Sequence, residues 1–460
     1  MDIQHDLIWG DDDGSEVFAR AHSGQLCLIF RFLLLARHPQ SLPSRIVACF
    51  HDWPTKDASE TFSDRASMRD AIHSSIGQVW SQCIAHPSIV APDVIIEIYE
   101  DIEQQTQWRV SHESTYNQYV DSLLPMDRLF EGEEPKPQVN YFVDYSSLIQ
   151  VNHLGGRGNV TVVRISPSSD SLYVFKGVDF GTFLESPANF RHRKDMCYHE
   201  IRMISSLPIH PNIVRPASIF VTVKKVQGKG RISVCGTLSP FMSHGTLDDQ
   251  ITSSNTAGPR LSLKNKGLWC FQMASALAHT HFTAHTFHMD IKPSNFVLDT
   301  HKDLILIDWE QSGAPLYTLA PEADGTWDIE EARIESPSCK NAASTVLEPV
   351  YRKYCGPYRE NLAWGRPKWN VFPIWRNVSP RALESAEVFS LGRTMWMLLQ
   401  QVAQSEVEDL EDVNIFWDEK SADIPESWKA VVGRCLCPDP NSRIRLSALV
   451  RFWEKQKQVI

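Results

Sequence analysis

The chain has 460 residues, which at roughly 150 residues per domain is enough for two or three domains. Hydrophobic residues make up 42% and charged residues 22%, the composition of a chain that buries a core and does not stay disordered. Lys plus Arg is 45 against 56 for Asp plus Glu, a net charge of −11 with no basic block, so nucleic acid and anionic membrane surfaces are excluded as partners.

Near the N-terminus, residues 26–36 are apolar, but Arg31 interrupts them, and the run is about half the length that spans a bilayer. The opening Asp2, His5 and Asp6, followed by the acidic residues 11–13, lacks the basic start of a secretory signal. An intracellular protein, cytoplasmic or nuclear, is expected. The ten cysteines fall at 27, 49, 83, 197, 235, 270, 339, 355, 435 and 437 with no C-x-x-C pair, and they are expected to be free thiols. Residues 1–130 read as mixed α/β, with strand-like apolar runs at 46–50 and 94–99 and polar segments such as 56–64. Residues 131–137 are acidic, carry Pro135 and Pro137, and form the clearest linker.

Beyond the linker, residues 148–180 alternate like paired strands around a glycine cluster. Residues 191–206 have helical spacing, with Cys197, Ile201 and Ile204 on one face. Two further strands are expected at 219–226 and 232–238. From Leu261 onward the pattern is mostly helical, at 263–283, 383–402, 425–436 and 446–458. Residues 312–380 are rich in Pro, Gly and Trp and show no clear period.

The strongest chemical signal is His288-Met289-Asp290-Ile291-Lys292-Pro293-Ser294-Asn295, followed by a strand-like run at 304–307 that ends in Asp308. Phosphoryl transfer needs a carboxylate to orient the acceptor hydroxyl and a cation to neutralise charge on the transferred phosphate. It also needs oxygen ligands for the bridging metal ions. Asp290, Lys292, Asn295 and Asp308 supply that set in order.

The segment resembles the catalytic loop and metal-binding motif of eukaryotic-type serine/threonine protein kinases, and flanking residues extend the resemblance over about 140–456. Gly155, Gly156 and Gly158 look like the loop that covers the phosphates, where absent Cβ atoms let backbone N–H groups approach. Tyr173-Val174-Phe175-Lys176 resembles the strand whose lysine binds the α- and β-phosphates. His210-Pro211-Asn212-Ile213-Val214 is a family landmark that marks Glu200 as the partner of Lys176. The stretch from Ser239 to Leu247 resembles the hinge, with Ser239 as gatekeeper and Phe241 and Met242 beside the adenine; Val163, Val174 and Val297 would wall it. Glu387-Val388-Phe389-Ser390-Leu391-Gly392 looks like the buried helix of the large lobe, and the stretch from Cys435 to Arg443 matches the late C-L-x-x-D-P-x-x-R landmark.

The resemblance also has departures. Met289 stands where the family has arginine, the usual receptor of an activation-loop phosphate. Thr161 occupies the third glycine position. The metal motif reads Asp308-Trp309-Glu310 where D-F-G is usual. Glu310 would repel phosphate, bind metal, or turn outward to a cation such as Arg381. The A-P-E position reads Ser379-Pro380-Arg381, which leaves Glu384 as a substitute anchor for Arg443. Glu387 replaces the usual aspartate and must still reach the catalytic-loop backbone. His288 is expected to brace the loop.

The resemblance implies an α+β, two-lobed protein kinase fold with a strand-rich small lobe and a helical large lobe, behind an α/β N-terminal extension of unknown function. Its expected limits are 1–130 for the extension, 131–137 for the linker and 138–456 for the kinase domain. Within that domain the small lobe spans 138–238, the hinge 239–243, the large lobe 244–456 and the activation-segment insert 312–380. The implied activity is ATP- and Mg2+-dependent phosphorylation of Ser or Thr in protein substrates, with Mn2+ as an alternative metal. A catalytically weak nucleotide-binding scaffold and a small-molecule kinase of the aminoglycoside or choline type are the other readings, the latter motivated by D-W-E.

Overall fold

The structure, a computed structural model, describes residues 3–459 except 12, 24–25, 36, 52–63, 133–140, 155–158, 167–169, 227–230, 336–344, 357–370 and 411–412. The chain forms two compact units, one of residues 1–202 with 217–241, the other of residues 203–216 with 242–460.

The first unit contains two sheets. β1 (Gln4–Gly10), β2 (Glu16–Ser23), β3 (Leu26–Leu33), β4 (Val94–Glu100) and β5 (Thr106–His112) pair in that order. All neighbours are antiparallel except β3 and β4. Two helices, α1 (Leu42–Phe50) and α2 (Arg65–Cys83), make that parallel crossover. Their apolar faces, among them Ile46, Val47, Ile72, Ile76 and Trp80, share a core with Val17, Phe30, Phe32, Ile96 and Ile98 of the sheet. Each large apolar side chain so buried contributes roughly 1.5–3 kcal/mol. Residues 46–50, strand-like in sequence, are therefore helical. Ser41 caps the helix by accepting from the Ser44 N–H, and Pro43 sits in its first turn. A five-residue apolar run carries no period long enough to tell the two apart. The run at 94–99 is strand, as expected.

Two short helices follow, α3 (Tyr116–Ser122) and α4 (Met126–Leu129). The second sheet has the order β6 (Tyr141–Asp144), β10 (Ile219–Val223), β11 (Ser233–Pro240), β9 (Tyr173–Gly177), β8 (Asn159–Arg164) and β7 (Ile149–His153). α5 (Phe180–Glu185) and α6 (Pro187–Ser206) lie between β9 and β10 in sequence. Tyr119, Leu123, Leu129 and Phe130 share one core with Phe175, Phe180, Phe190, Tyr198, Phe220 and Leu238. The N-terminal residues and the second sheet are thus one packed body. The linker stretch 133–137 lies outside the described residues.

The second unit is helical. α7 (Leu247–Ala257), α8 (Leu263–Phe282), α10 (Pro380–Gln400), α11 (Glu426–Cys435) and α12 (Leu446–Val459) enclose a core that includes Trp269, Met273, Trp396, Trp428 and Trp453. α10 starts at an N-cap on Ser379 with Pro380 in the first turn and ends at Gln401, whose φ is +64°. Nearly every residue of it is buried, so it is the post around which the other helices pack. Two strands, β12 (Phe296–Leu298) and β13 (Leu304–Leu306), form a hairpin at the site described below. The segment without clear period in the sequence contains an antiparallel pair, β14 (Trp327–Glu335) with β15 (Thr345–Lys353), and a short helix, α9 (Phe372–Val378).

Candidate active site

In the first unit, Lys176 lies on β9 and Glu200 on α6. The Lys176 Nζ stands 2.7 Å from the Glu200 Oε2, and the carboxylate is 8% exposed. The half-buried lysine thus has an opposite charge directly against it. Val174 faces Ser239 across the β9–β11 pair, and Lys176 faces Thr237. Val163 is buried on β8, and Val174 and Ser239 are half-buried. The Phe241 N–H donates to the Leu172 carbonyl at 3.0 Å. Gly155, Gly156 and Gly158 lie outside the described residues; Thr161, two positions into β8, is buried.

In the second unit, the loop from His288 to Asn295 is pinned at several points. Glu387 on α10 is fully buried, and its Oε1 accepts from the His288 N–H at 2.9 Å and the Met289 N–H at 2.6 Å. The longer side chain does reach the loop backbone. Its Oε2 stands 2.7 Å from the His281 Nε2. His288 is buried, and its Nε2 lies 2.7 Å from the Ile307 carbonyl. Burial holds the imidazole below its usual pKa, so it is neutral with the Nε2 proton donated to that carbonyl. The ring packs edge-on against Trp309, with centroids 4.8 Å apart. His288 therefore joins the loop to the strand end that carries Asp308. A second joint is the Ile307 N–H, which donates to the Asn295 carbonyl at 3.0 Å.

Asp290, Lys292 and Asn295 are brought together. The Lys292 Nζ donates to the Asp290 Oδ2 at 2.7 Å, and the Asn295 Nδ2 donates to the Asp290 carbonyl at 2.8 Å. The Asp290 Oδ1 is buried and has no hydrogen-bond partner among the described residues. Met289 and Asp308 hold positive φ angles of +77° and +67°. For side chains with a Cβ this conformation costs energy and is retained where the surroundings fix it, as at working sites. Met242 and Val297 are half-buried in this unit. Val297 pairs with Ile305 on the β12–β13 hairpin and bridges to Thr246.

Trp309 is fully buried and fills an apolar slot. Glu310 is buried, and the Ser312 Oγ donates to its Oε2 at 3.4 Å. The outward option for Glu310 therefore fails: Arg381 pairs with Glu384 at 3.1 Å. The Asp308 and Glu310 carboxylates offer oxygens within 4.8 Å of one another. Met289 is 1% exposed and packs with Phe287, Leu319, Phe372 and Trp375.

Arg443 is where the sequence misleads. Its partner is Glu322, in a buried two-pronged ion pair. Glu384 instead accepts from the Leu446 N–H at 2.8 Å. The signal was present in plain form: Ala320-Pro321-Glu322 is an unaltered A-P-E, hidden by its nearness to Asp308.

Residues 152–315 match the family model of the protein kinase domain. Over 138 residues, 30% of this chain, the sequence is 28% identical to the MAP kinase kinase kinase wis4 of Schizosaccharomyces pombe. Over 116 residues, 25% of this chain, it is 30% identical to CBL-interacting serine/threonine-protein kinase 24 of Arabidopsis thaliana. The matches cover only 9% and 23% of those proteins. The α+β architecture, one lobe rich in strands and one helical, is that of the protein kinase fold. No helix among the described residues is long and apolar enough to cross a membrane.

Proposed function

We propose that the protein kinase domain carried by this chain transfers the terminal phosphoryl group of ATP to serine or threonine hydroxyls of protein substrates. One observation carries the reading: Asp290 is held through one carboxylate oxygen by Lys292 and through its carbonyl by Asn295, while its other oxygen is buried without a partner among the described residues. That oxygen is the natural acceptor for the substrate hydroxyl. As the hydroxyl oxygen bonds to the γ-phosphorus, the bond to the bridging oxygen of ADP breaks and the hydroxyl proton passes to Asp290. Lys292 meets the charge on the transferred group. Lys176, paired with Glu200, engages the α- and β-phosphates. The family resemblance assigns adenine contacts to Ser239, Phe241, Met242, Val163, Val174 and Val297, and phosphate contacts to Gly155, Gly156 and Gly158.

Asn295 and Asp308 fit a divalent cation. The Asn295 amide nitrogen is committed to the Asp290 carbonyl, so its oxygen is the ligand atom. The Asp308 carboxylate and the nearby Glu310 complete a hard, all-oxygen donor set suited to Mg2+ or Mn2+. When bound, the cation neutralises the phosphate oxygens and orients the leaving group. An acceptor on protein is favoured over a small molecule by the match of residues 152–315 to the protein kinase domain. The test is incubation of the full chain with γ-labelled ATP, Mg2+ and a mixed peptide library, followed by phosphoamino-acid analysis. Label in phosphoserine or phosphothreonine is the expected result. Label confined to tyrosine, or no label on any peptide, overturns the reading.

A further inference from the structure

The residues before the second sheet grip the helix that carries Glu200. The Lys194 Nζ donates to the Ser122 carbonyl at 3.0 Å, and the Arg202 Nε donates to the Leu129 carbonyl at 2.7 Å. Between them, the Leu124 N–H donates to the Tyr198 hydroxyl, and that hydroxyl donates to the Val234 carbonyl, each at 2.8 Å. The Val234 N–H returns to the Leu124 carbonyl at 2.8 Å. Residues 194, 198 and 202 are spaced by four and share one face of α6. At about 100° per residue, Glu200 points some 200° round the helix from Tyr198. The segment thus holds one side of α6 while the other side offers Glu200 to Lys176.

The same N-terminal body holds the strand of Lys176. The Tyr119 hydroxyl donates to the Val178 carbonyl at 2.9 Å. Asp179, just beyond β9, accepts from the Arg20 guanidinium on β2 at 3.2 Å in a buried pair and from the half-buried Tyr145 hydroxyl at 2.8 Å. Both partners of the Lys176–Glu200 pair are therefore moored to residues 20–129.

We propose that residues 116–130 are a built-in positioning segment for α6, with Lys194, Tyr198 and Arg202 as positioning residues that keep Glu200 on Lys176. This deepens the kinase reading and rests on it for its bearing on catalysis. Its geometry is measurable without any transfer reaction. An amine held against a carboxylate is slow to acylate, so Lys176 reports the pair directly.

The full chain carrying Lys194→Met, Tyr198→Phe and Arg202→Met is pulsed with acetic anhydride, and Lys176 acetylation is read by mass spectrometry. Acetylation about fivefold faster than wild type is expected, the low end of typical coupling between sites. In peptide phosphorylation, kcat should fall by about the same factor with the peptide KM unchanged. Lys225→Ala, which removes only the exposed pair with Asp121, should match wild type, and Arg202→Lys in an otherwise native chain should retain protection. Unchanged Lys176 acetylation, together with faster hydrogen exchange in residues 122–129, overturns the proposal. Should the triple variant fail to fold, Tyr198→Phe alone is read in the same assay. About twofold faster acetylation then supports the proposal, and no change overturns it. A wild-type chain that transfers no phosphate leaves the acetylation result to decide this inference by itself.

Discussion

Glu322 and Arg443 form a two-pronged ion pair with contacts of 2.5 and 2.9 Å, and their side chains are 5% and 0% exposed. Arg443 also donates to the Cys437 and Ser385 carbonyls and lies 4.8 Å from the Phe389 ring centroid. The end of the segment that follows Asp308 is thereby fixed to the helical core. The long irregular stretch begins after Glu322, and β15 docks separately through the Glu348–Arg445 pair and the Asn441 bond to the Pro349 carbonyl.

Removing one partner leaves the other charge buried. Glu322→Ala should cost roughly 3–5 kcal/mol of stability, and Glu322→Ala with Arg443→Met should cost less than the single change. Chemical denaturation of the three proteins checks this. A double variant weaker than Glu322→Ala would contradict the account.

His210 gives a pH prediction. Burial, with His279 close by, pushes its pKa down to about 4, against about 6.5 in an unfolded chain. A depressed folded value means that protonation favours unfolding. The His210 contribution is complete above pH 6.5 and is lost as pH falls toward 4. Its Nδ1 accepts from the Asn212 N–H at 3.1 Å, a role asparagine can take over. His210→Asn should lose less stability than wild type between pH 6.5 and 4. Parallel profiles would show that another group carries the effect.

Met289 packs in an apolar cluster, so no arginine is present there to receive a phosphate. Phosphatase treatment should change peptide phosphorylation by less than about twofold. Met289→Arg should lower the melting temperature, since it buries an unpaired charge, without making activity depend on phosphate. A large loss on dephosphorylation, restored by rephosphorylation within 312–380, would refute this.

Glu310 is buried close to Asp308, and the kinase reading places a cation there. Glu310→Gln should raise the Mg2+ or Mn2+ concentration needed for half-maximal ATP binding by about tenfold, the scale seen when groups around a metal are altered. An unchanged metal dependence removes the carboxylate from that role.

What was legible in the sequence was the chemistry carried by contiguous residues. Asp290, Lys292 and Asn295 fall within six positions and announce themselves, and Glu200 was marked by the landmark at His210. Long helices such as α8 and α10 showed in their period. The misses have physical causes. Residues 46–50 are too few to display a helical repeat, and only the cap at Ser41 and Pro43 marks the helix. Ala320-Pro321-Glu322 stands far ahead of the buried helix, while Ser379-Pro380-Arg381, directly before that helix, imitates the motif. The mooring of β9 and α6 left no local trace at all. Arg20 meets Asp179 across 159 positions and Arg202 meets Leu129 across 73, and separations of that size are settled only by packing.

The central claim is that Asp290 orients the acceptor hydroxyl. The direct measurement is the single-turnover rate of γ-labelled phosphate transfer to the best peptide, for wild type and Asp290→Asn, at saturating ATP and Mg2+. The account predicts a rate lower by roughly 10²–10⁴ in the variant, with ATP affinity and melting temperature little changed. Equal transfer rates in the two proteins would contradict it.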